Sequence, residues 1–162
     1  MTVWFTSDLH IGHNLVAALR LKDRSDIPYV VSMVESLAPD VVTNFHDELL
    51  AENWDKTVQR DDTVWVLGDI SAGGSAAQRK ALQWVSERTG RPPHLVLGNH
   101  DGAHPMHRDS YKWQKEYMEV FESVQMAARR NLPVAQAAFA PQGVSGVTQV
   151  LLSHLPYTGE VR

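Results

Sequence analysis

No cysteine occurs in the chain, which excludes disulfides and thiolate-held metals. Any metal would have to be held by His, Asp, Glu or Asn, a donor set suited to Mn, Fe, Mg or Zn. No apolar run approaches the roughly 20 residues of a membrane-spanning helix. The opening MTVWFTSDLH lacks the basic and apolar regions of a secretory signal, and a cytoplasmic protein is expected. No long Lys/Arg run is present. The formal net charge of −4 and pI near 6.0 argue against a protein that coats nucleic acid by bulk electrostatics. Its 162 residues are 43% hydrophobic, enough to bury the core of one compact domain.

Short apolar runs alternate with longer amphipathic stretches, the rhythm of an α/β domain. Strands are predicted at residues 2–6 (TVWFT), 63–67 (TVWVL), 94–97 (HLVL) and 149–152 (QVLL). Runs this short and apolar fit strands buried on both faces. Helices are predicted at residues 39–58, 75–88 and 111–121. In the first, Val42, Phe45, Leu49 and Val58 fall near one face. The second has Ser75 as N-cap candidate and Gly90 just beyond its end. Residues 134–146, first Ala-rich and then Pro/Gly-rich, carry no clear period.

Each predicted strand ends in a polar cluster: Ser7-Asp8, Gly68-Asp69, Gly98-Asn99-His100-Asp101 and Ser153-His154. In open α/β sheets the carboxyl ends of strands form the ligand crevice, so side chains far apart in sequence are expected to meet there. On an extended segment, the i, i+2 spacing of Asp8 and His10 points both to one side. Asp69 has two oxygens with which to bridge two ions, and Asn99 offers a neutral carbonyl oxygen. Two ions about 3.5–4 Å apart clamp a phosphate and activate a water. Each piece alone has a plain structural explanation; the ordered set is far harder to produce by chance.

TSDLHIGH, LGDIS, LVLGNHD and LLSHLPY together resemble the ordered signature of the calcineurin-like metallophosphoesterases, in particular the small bacterial and phage phosphoesterases. The resemblance runs from Thr6 to Tyr157, and GNHD is its most specific motif. It implies an α/β fold with a two-sheet β-sandwich core flanked by α-helices, in α/β/β/α layers. It also implies two divalent ions, with Mn²⁺ favoured and Fe, Zn or Mg as other candidates. Asp8 and His10 would bind the first ion, Asn99 and His154 the second, and Asp69 both. His100 would act as general acid or contact the phosphate, and Asp101 would orient it through its other ring nitrogen. Asn99 and His100 would also meet the substrate.

The resemblance further implies hydrolysis of phosphoesters by metal-activated hydroxide, with small phosphodiesters, including cyclic nucleotides, as the favoured substrates. No membrane partner is expected and nucleic acid is disfavoured. A nuclease of the same family and a catalytically impaired metal-binding scaffold are the rival readings. The family pattern continues into a Gly-His-x-His segment, whereas no His follows His154 in this sequence. The expectation is a domain over residues 1–162 lacking its C-terminal segment, with weak metal binding or a substitute ligand such as His13 or His46 as the alternatives.

His13 is read equally as a substrate contact and as an N-cap. His104 and His107 are expected to be solvated loop residues. His46 and Trp54 are expected to be structural, and Arg129 and Arg130 to be surface residues. The five tryptophans are expected to serve packing.

Overall fold

The computed structural model describes residues 1–24, 28–71, 73–133 and 147–156. Residues 134–146 and Tyr157 therefore lie outside the described residues. In chain order the elements are β1 (Val3–Thr6), α1 (Asn14–Lys22), α2 (Pro28–Ser36), α3 (Pro39–Thr57), β2 (Thr63–Val66), α4 (Ser75–Ser86), β3 (His94–Val96), α5 (Ser110–Met118), β4 (Ser123–Gln125), β5 (Ala128–Pro133) and β6 (Val147–Leu152). Strands β1 to β4 form a parallel sheet in the order β1-β2-β3-β4, while β5 and β6 pair antiparallel in a second sheet. Parallel pairing needs long crossovers, and helices supply them.

Alternation along β2 and β3 explains why both read as unbroken apolar runs. Val64, Val66, Leu95 and Leu97 face a core shared with Trp54, Leu82, Trp84, Tyr117 and Phe121 of the helical side. Trp65 and Val96 face the other way, against Ala128 and Leu152 of the second sheet, with Val3, Leu67 and Val150 alongside. A strand covered on both faces has no polar face to show. The predicted sandwich is thus present, and the described residues supply three of its layers: helices, parallel sheet and small antiparallel sheet. Against the prediction of burial on both faces, β1 is an edge strand with Trp4 and Phe5 exposed.

A third cluster joins Leu21 of α1, Val30 of α2 and Val42 of α3, with Phe45 and Leu49 beside them. Helix α3 therefore serves two cores: Val42 packs towards α1 and α2, while Trp54 packs under the parallel sheet. Val58, expected on the face of Val42, belongs to the main core instead. Its helix opens with Pro39 in the first turn, where the missing N–H costs nothing. Ser75 is not an N-cap: Gly74, at φ +67°, holds that position and Ser75 is the first helical residue. Glu87 rather than a glycine ends α4. Among the described residues no helix is long and apolar enough to cross a membrane.

Parallel order puts the carboxyl ends of β1, β2 and β3 on one rim, so the loops after them lie side by side. Their backbones stay bonded beyond the strands: the Asp8 N–H donates to the Gly68 carbonyl, that of His10 to Asp69 and that of Ile11 to Ile70, each at 3.0 Å. Strand β6 delivers Ser153 and His154 to this rim from the other sheet, and the His154 Nδ1–H donates to the Leu67 carbonyl at 2.8 Å.

Candidate metal centre

Asp8, His10 and Asp69 each offer a ligand atom, and these atoms lie within 4.8 Å of one another. His10 Nε2 stands 3.7 Å from Asp8 Oδ1 and 3.9 Å from Asp69 Oδ2. On the far side of Asp69, His154 Nε2 lies 3.5 Å from the same Oδ2 and 3.2 Å from Asn99 Oδ1. The bond from His154 Nδ1 to Leu67 leaves Nε2 of the neutral ring as a bare lone pair. Two groups of ligand atoms thus meet at one carboxylate.

The backbone that carries them is strained. Asp8, His10 and Asp69 have φ of +54°, +49° and +53°, and among the described residues they are the only non-glycines at positive φ. Such conformations cost on the order of 1–3 kcal/mol each and persist where the surroundings impose them. Here the expected extended Asp8-Leu9-His10 segment is overturned: two left-handed residues flank Leu9, which turns into the main core. The two site side chains still converge, by torsion rather than by strand alternation.

Several groups hold these loops. From α1, Arg20 donates through Nη2 to the Asp8 carbonyl at 2.6 Å and through Nη1 to that of Leu9 at 3.4 Å. From α3, buried Asp47 accepts the Gly12 N–H at 3.0 Å and the Lys80 ammonium at 3.2 Å. Burial is the main cause holding the His10 pKa below its ordinary value; the Asp69 carboxylate opposes this and the Arg20 cation reinforces it. A His kept unprotonated near neutral pH is competent to ligate a cation.

The model of the calcineurin-like phosphoesterases matches residues 1–156. The chain belongs to this family. It is 47% identical over 157 residues to the Gene 66 protein of Mycobacterium phage L5, covering 97% of this chain and 64% of that protein. It is 44% identical over 158 residues to the Gene 66 protein of Mycobacterium phage D29, covering 98% of this chain and 65% of that one. The chain thus spans just under two-thirds of the length of these relatives. A crystal structure of a protein of unknown function from Aquifex aeolicus shares the fold, with TM-score 0.52 and 22% identity, over 96% of this chain and 62% of that one.

Metal ions are the group this phosphoesterase family implies, and the donor set fits them. His10 Nε2 with Asp8 and Asp69 would hold one cation; Asn99 Oδ1 and His154 Nε2 with Asp69 would hold the other. With Nδ1 of neutral His154 committed to Leu67, its Nε2 faces Asn99 Oδ1 at 3.2 Å and Asp69 Oδ2 at 3.5 Å, acceptors that repel unless a positive charge stands among them.

Of the remaining predicted residues, His100 lies on this rim, exposed, with its ring 5.9 Å edge-on to that of His10. His13 is the N-cap residue of α1, and its ring is also edge-on to His10 at 5.6 Å. The N-cap reading describes its place, although its side chain makes no capping hydrogen bond. Asp101 requires correction. It is fully buried, and its carboxylate accepts the N–H groups of Gly98 (2.8 Å), Asp69 (3.1 Å) and Ile70 (3.0 Å), with no bond to the His100 ring. Three amides at the junction of two tight loops need acceptors more than His100 needs an orienter. Burial pushes this carboxyl up to about 6, opposed by the amide bonds and reinforced by Asp69.

His104 is a second correction: it is buried, not solvated, with Nδ1 accepting the Met106 N–H at 3.1 Å. Backbone bonds link residues 101 to 98, 104 to 101, 107 to 104 and 110 to 107. Consecutive three-residue turns stack Asp101 and His104 on one inward side. A period of three in DGAHPMH was the sequence signal. His107 remains exposed and donates from Nε2 to the Asn99 carbonyl at 2.8 Å. His46 is buried against Asp47 at 3.3 Å and supplies no ligand to the cluster. Arg130 lies 5.3 Å over the Trp65 ring, a packing role. Arg20, Asp47, Gln78 and Tyr117 hold the site and carry no motif that would have revealed them.

Proposed function

We propose that this chain hydrolyses small phosphodiesters, cyclic nucleotides among the candidates, with Mn²⁺ as the favoured cofactor. The supporting observation is the convergence of Asp8, His10, Asn99 and His154 on Asp69, with His100 standing beside them. When bound, two divalent ions supply an activated water and neutralise charge on the phosphoryl oxygens. The protein's part is geometry. Asp69 is fixed by accepting the His100 N–H through Oδ1 at 2.9 Å, which leaves Oδ2 for the site. Asn99 is held from behind by His107. His100, exposed on the rim, is assigned the role of giving a proton to the departing oxygen, a reading supported by its ring's nearness to His10.

The adjoining cavity, about 210 Å³, is lined by Gly74, Ser75, Gln78, His100, His107 and Trp113 among others. Its size suits a small organic group rather than a duplex, and the net charge of −4 gives no general attraction to nucleic acid.

The test is hydrolysis of bis-p-nitrophenyl phosphate and of the monoester by Mn²⁺-supplemented protein, with plain duplex DNA alongside. Turnover of the diester above the monoester, abolished by Asp69→Asn, is expected. Inactivity on both esters, in this chain and in a version extended to the length of its phage relatives, refutes the proposal. Salt-sensitive cleavage of DNA alone would favour the nuclease.

A further inference from the structure

His100 is exposed, and among the described residues its imidazole makes no hydrogen bond. Its location is therefore set through its backbone. The N–H is held by Asp69, and the carbonyl accepts Gln78 Nε2–H of α4 at 2.6 Å. Gln78 is 2% exposed, and its Oε1 accepts the hydroxyl of Tyr117 from α5, a side chain with no exposed surface. The same phenolic oxygen accepts the N–H of Gly102 at 3.1 Å.

Donor directions close into one consistent circuit. Gly102 gives its hydrogen to the phenol, so the phenol's own hydrogen is free for Gln78 Oε1. That bond fixes which end of the Gln78 amide faces His100, because a flipped amide would set oxygen against the His100 carbonyl and nitrogen against Gly102's acceptor. Burial raises the Tyr117 pKa, so the hydroxyl hydrogen stays in place. Two helices thus grip the turn on both sides of Asp101.

We infer that Gln78 and Tyr117 are positioning residues that set where the His100 imidazole stands over the phosphoester site. The inference rests on the proposed hydrolase reading. It matters most where the leaving oxygen needs a proton: p-nitrophenolate departs without one, whereas an alkoxide does not.

The experiment compares wild type, Tyr117→Phe and Gln78→Met on two phosphodiesters, one with a p-nitrophenyl and one with an alkyl leaving group, in saturating Mn²⁺. For either variant, kcat on the alkyl ester should fall about tenfold or more, and on the p-nitrophenyl ester less than threefold. Mn²⁺ affinity should stay within about twofold in both variants, and KM within about twofold in Tyr117→Phe, whose side chain does not line the cavity. Combining the two substitutions should cost no more than the worse one alone, because they act in series. Equal losses on both esters, or additive losses, would overturn the inference. Amide hydrogen exchange supplies a readout independent of turnover. Tyr117→Phe should speed exchange at residues 100–102 at least tenfold more than in β2 and β3, and a uniform change overturns the inference. If wild type is inactive on both diesters, as is a version extended to the length of its phage relatives, the phosphodiesterase proposal falls; local exchange at 100–102 then shows whether the grip exists.

Discussion

Gly98→Ala should damage both the fold and the metal centre, although the backbone at this position is open to any residue: Gly98 is not among the positive-φ glycines. The reason is proximity. A Cβ at Gly98 would lie 2.5 Å from the Asp69 nitrogen and 2.9 Å from its Cγ, and it would overlap Oδ1. Ordinary contact begins near 3.4 Å, so the two loops would have to part by roughly 1 Å. That movement strains the Gly98 and Asp69 bonds to Asp101 and the His100 bond to Asp69. Overpacking costs about 1–3 kcal/mol, and two or three weakened buried bonds add about 1 kcal/mol each. A loss of about 3–6 kcal/mol lowers the melting temperature by roughly 10–20 °C for a chain of this size. Gly73 is the control: its φ is +87° but a Cβ there meets nothing within 4 Å, so Gly73→Ala should cost only about 1–2 kcal/mol of backbone strain. Thermal unfolding in EDTA, followed by calorimetric titration with Mn²⁺, reads both consequences. A Gly98→Ala protein that melts within a few degrees of wild type and binds Mn²⁺ equally well would refute the view that loop proximity builds the site.

Further expectations concern separate parts of the centre. His10→Ala and Asn99→Ala should each remove one class of Mn²⁺ site, while Asp69→Asn weakens both; unchanged stoichiometry in the first two would argue against two sites, and calorimetry decides. The folded-state pKa of Asp101, about 6, lies above that of an unfolded carboxyl. Its contribution to stability is therefore full near pH 4 and is lost as pH rises through 6. Denaturant titrations of EDTA-treated protein at pH 4.5 and 7.5 should show the advantage of wild type over Asp101→Asn shrinking with pH; a constant difference contradicts the shift. Asp47→Ala strips the Gly12 N–H of its buried acceptor and should cost about 2–3 kcal/mol, with weaker Mn²⁺ binding through the loosened His10 loop. Wild-type stability in that variant would show that the anchor is dispensable.

Much of the site was legible because its ligands follow apolar strands, and strand ends are where a parallel sheet exposes its loops. Asp8, His10, Asp69, Asn99 and His154 were found that way, and the structure brings them together. Less was legible where local sequence is mute. Helices α1 and α2 are nine residues each, too short for a strong period, and they are stabilised by packing on α3. Strands β4 and β5 read as SVQ and ARRNLP, with little apolar signal, because they take their conformation from a neighbouring strand. The left-handed backbone of Asp8 and His10 could not be read from a DxH spacing that equally suits an extended strand. Nor could the role of Asp101, since a carboxylate serves an imidazole or three amides with the same atoms. Gln78 and Tyr117 sit at helix positions where any large side chain would look like core.

Helix α3 belongs to two hydrophobic clusters that share little else. A chain built this way can loosen in stages: the small α1–α2 cluster is able to come apart while the sheet and its larger core stay intact. Arg20 rides on α1 and grips the carbonyls of Asp8 and Leu9, so such a partial opening would slacken one side of the metal cradle and spare the other. The fold thus gives the two halves of the candidate centre unequal mechanical support, with Asn99 and His154 anchored between sheets and the Asp8–His10 turn braced in part by a helix of the smaller cluster.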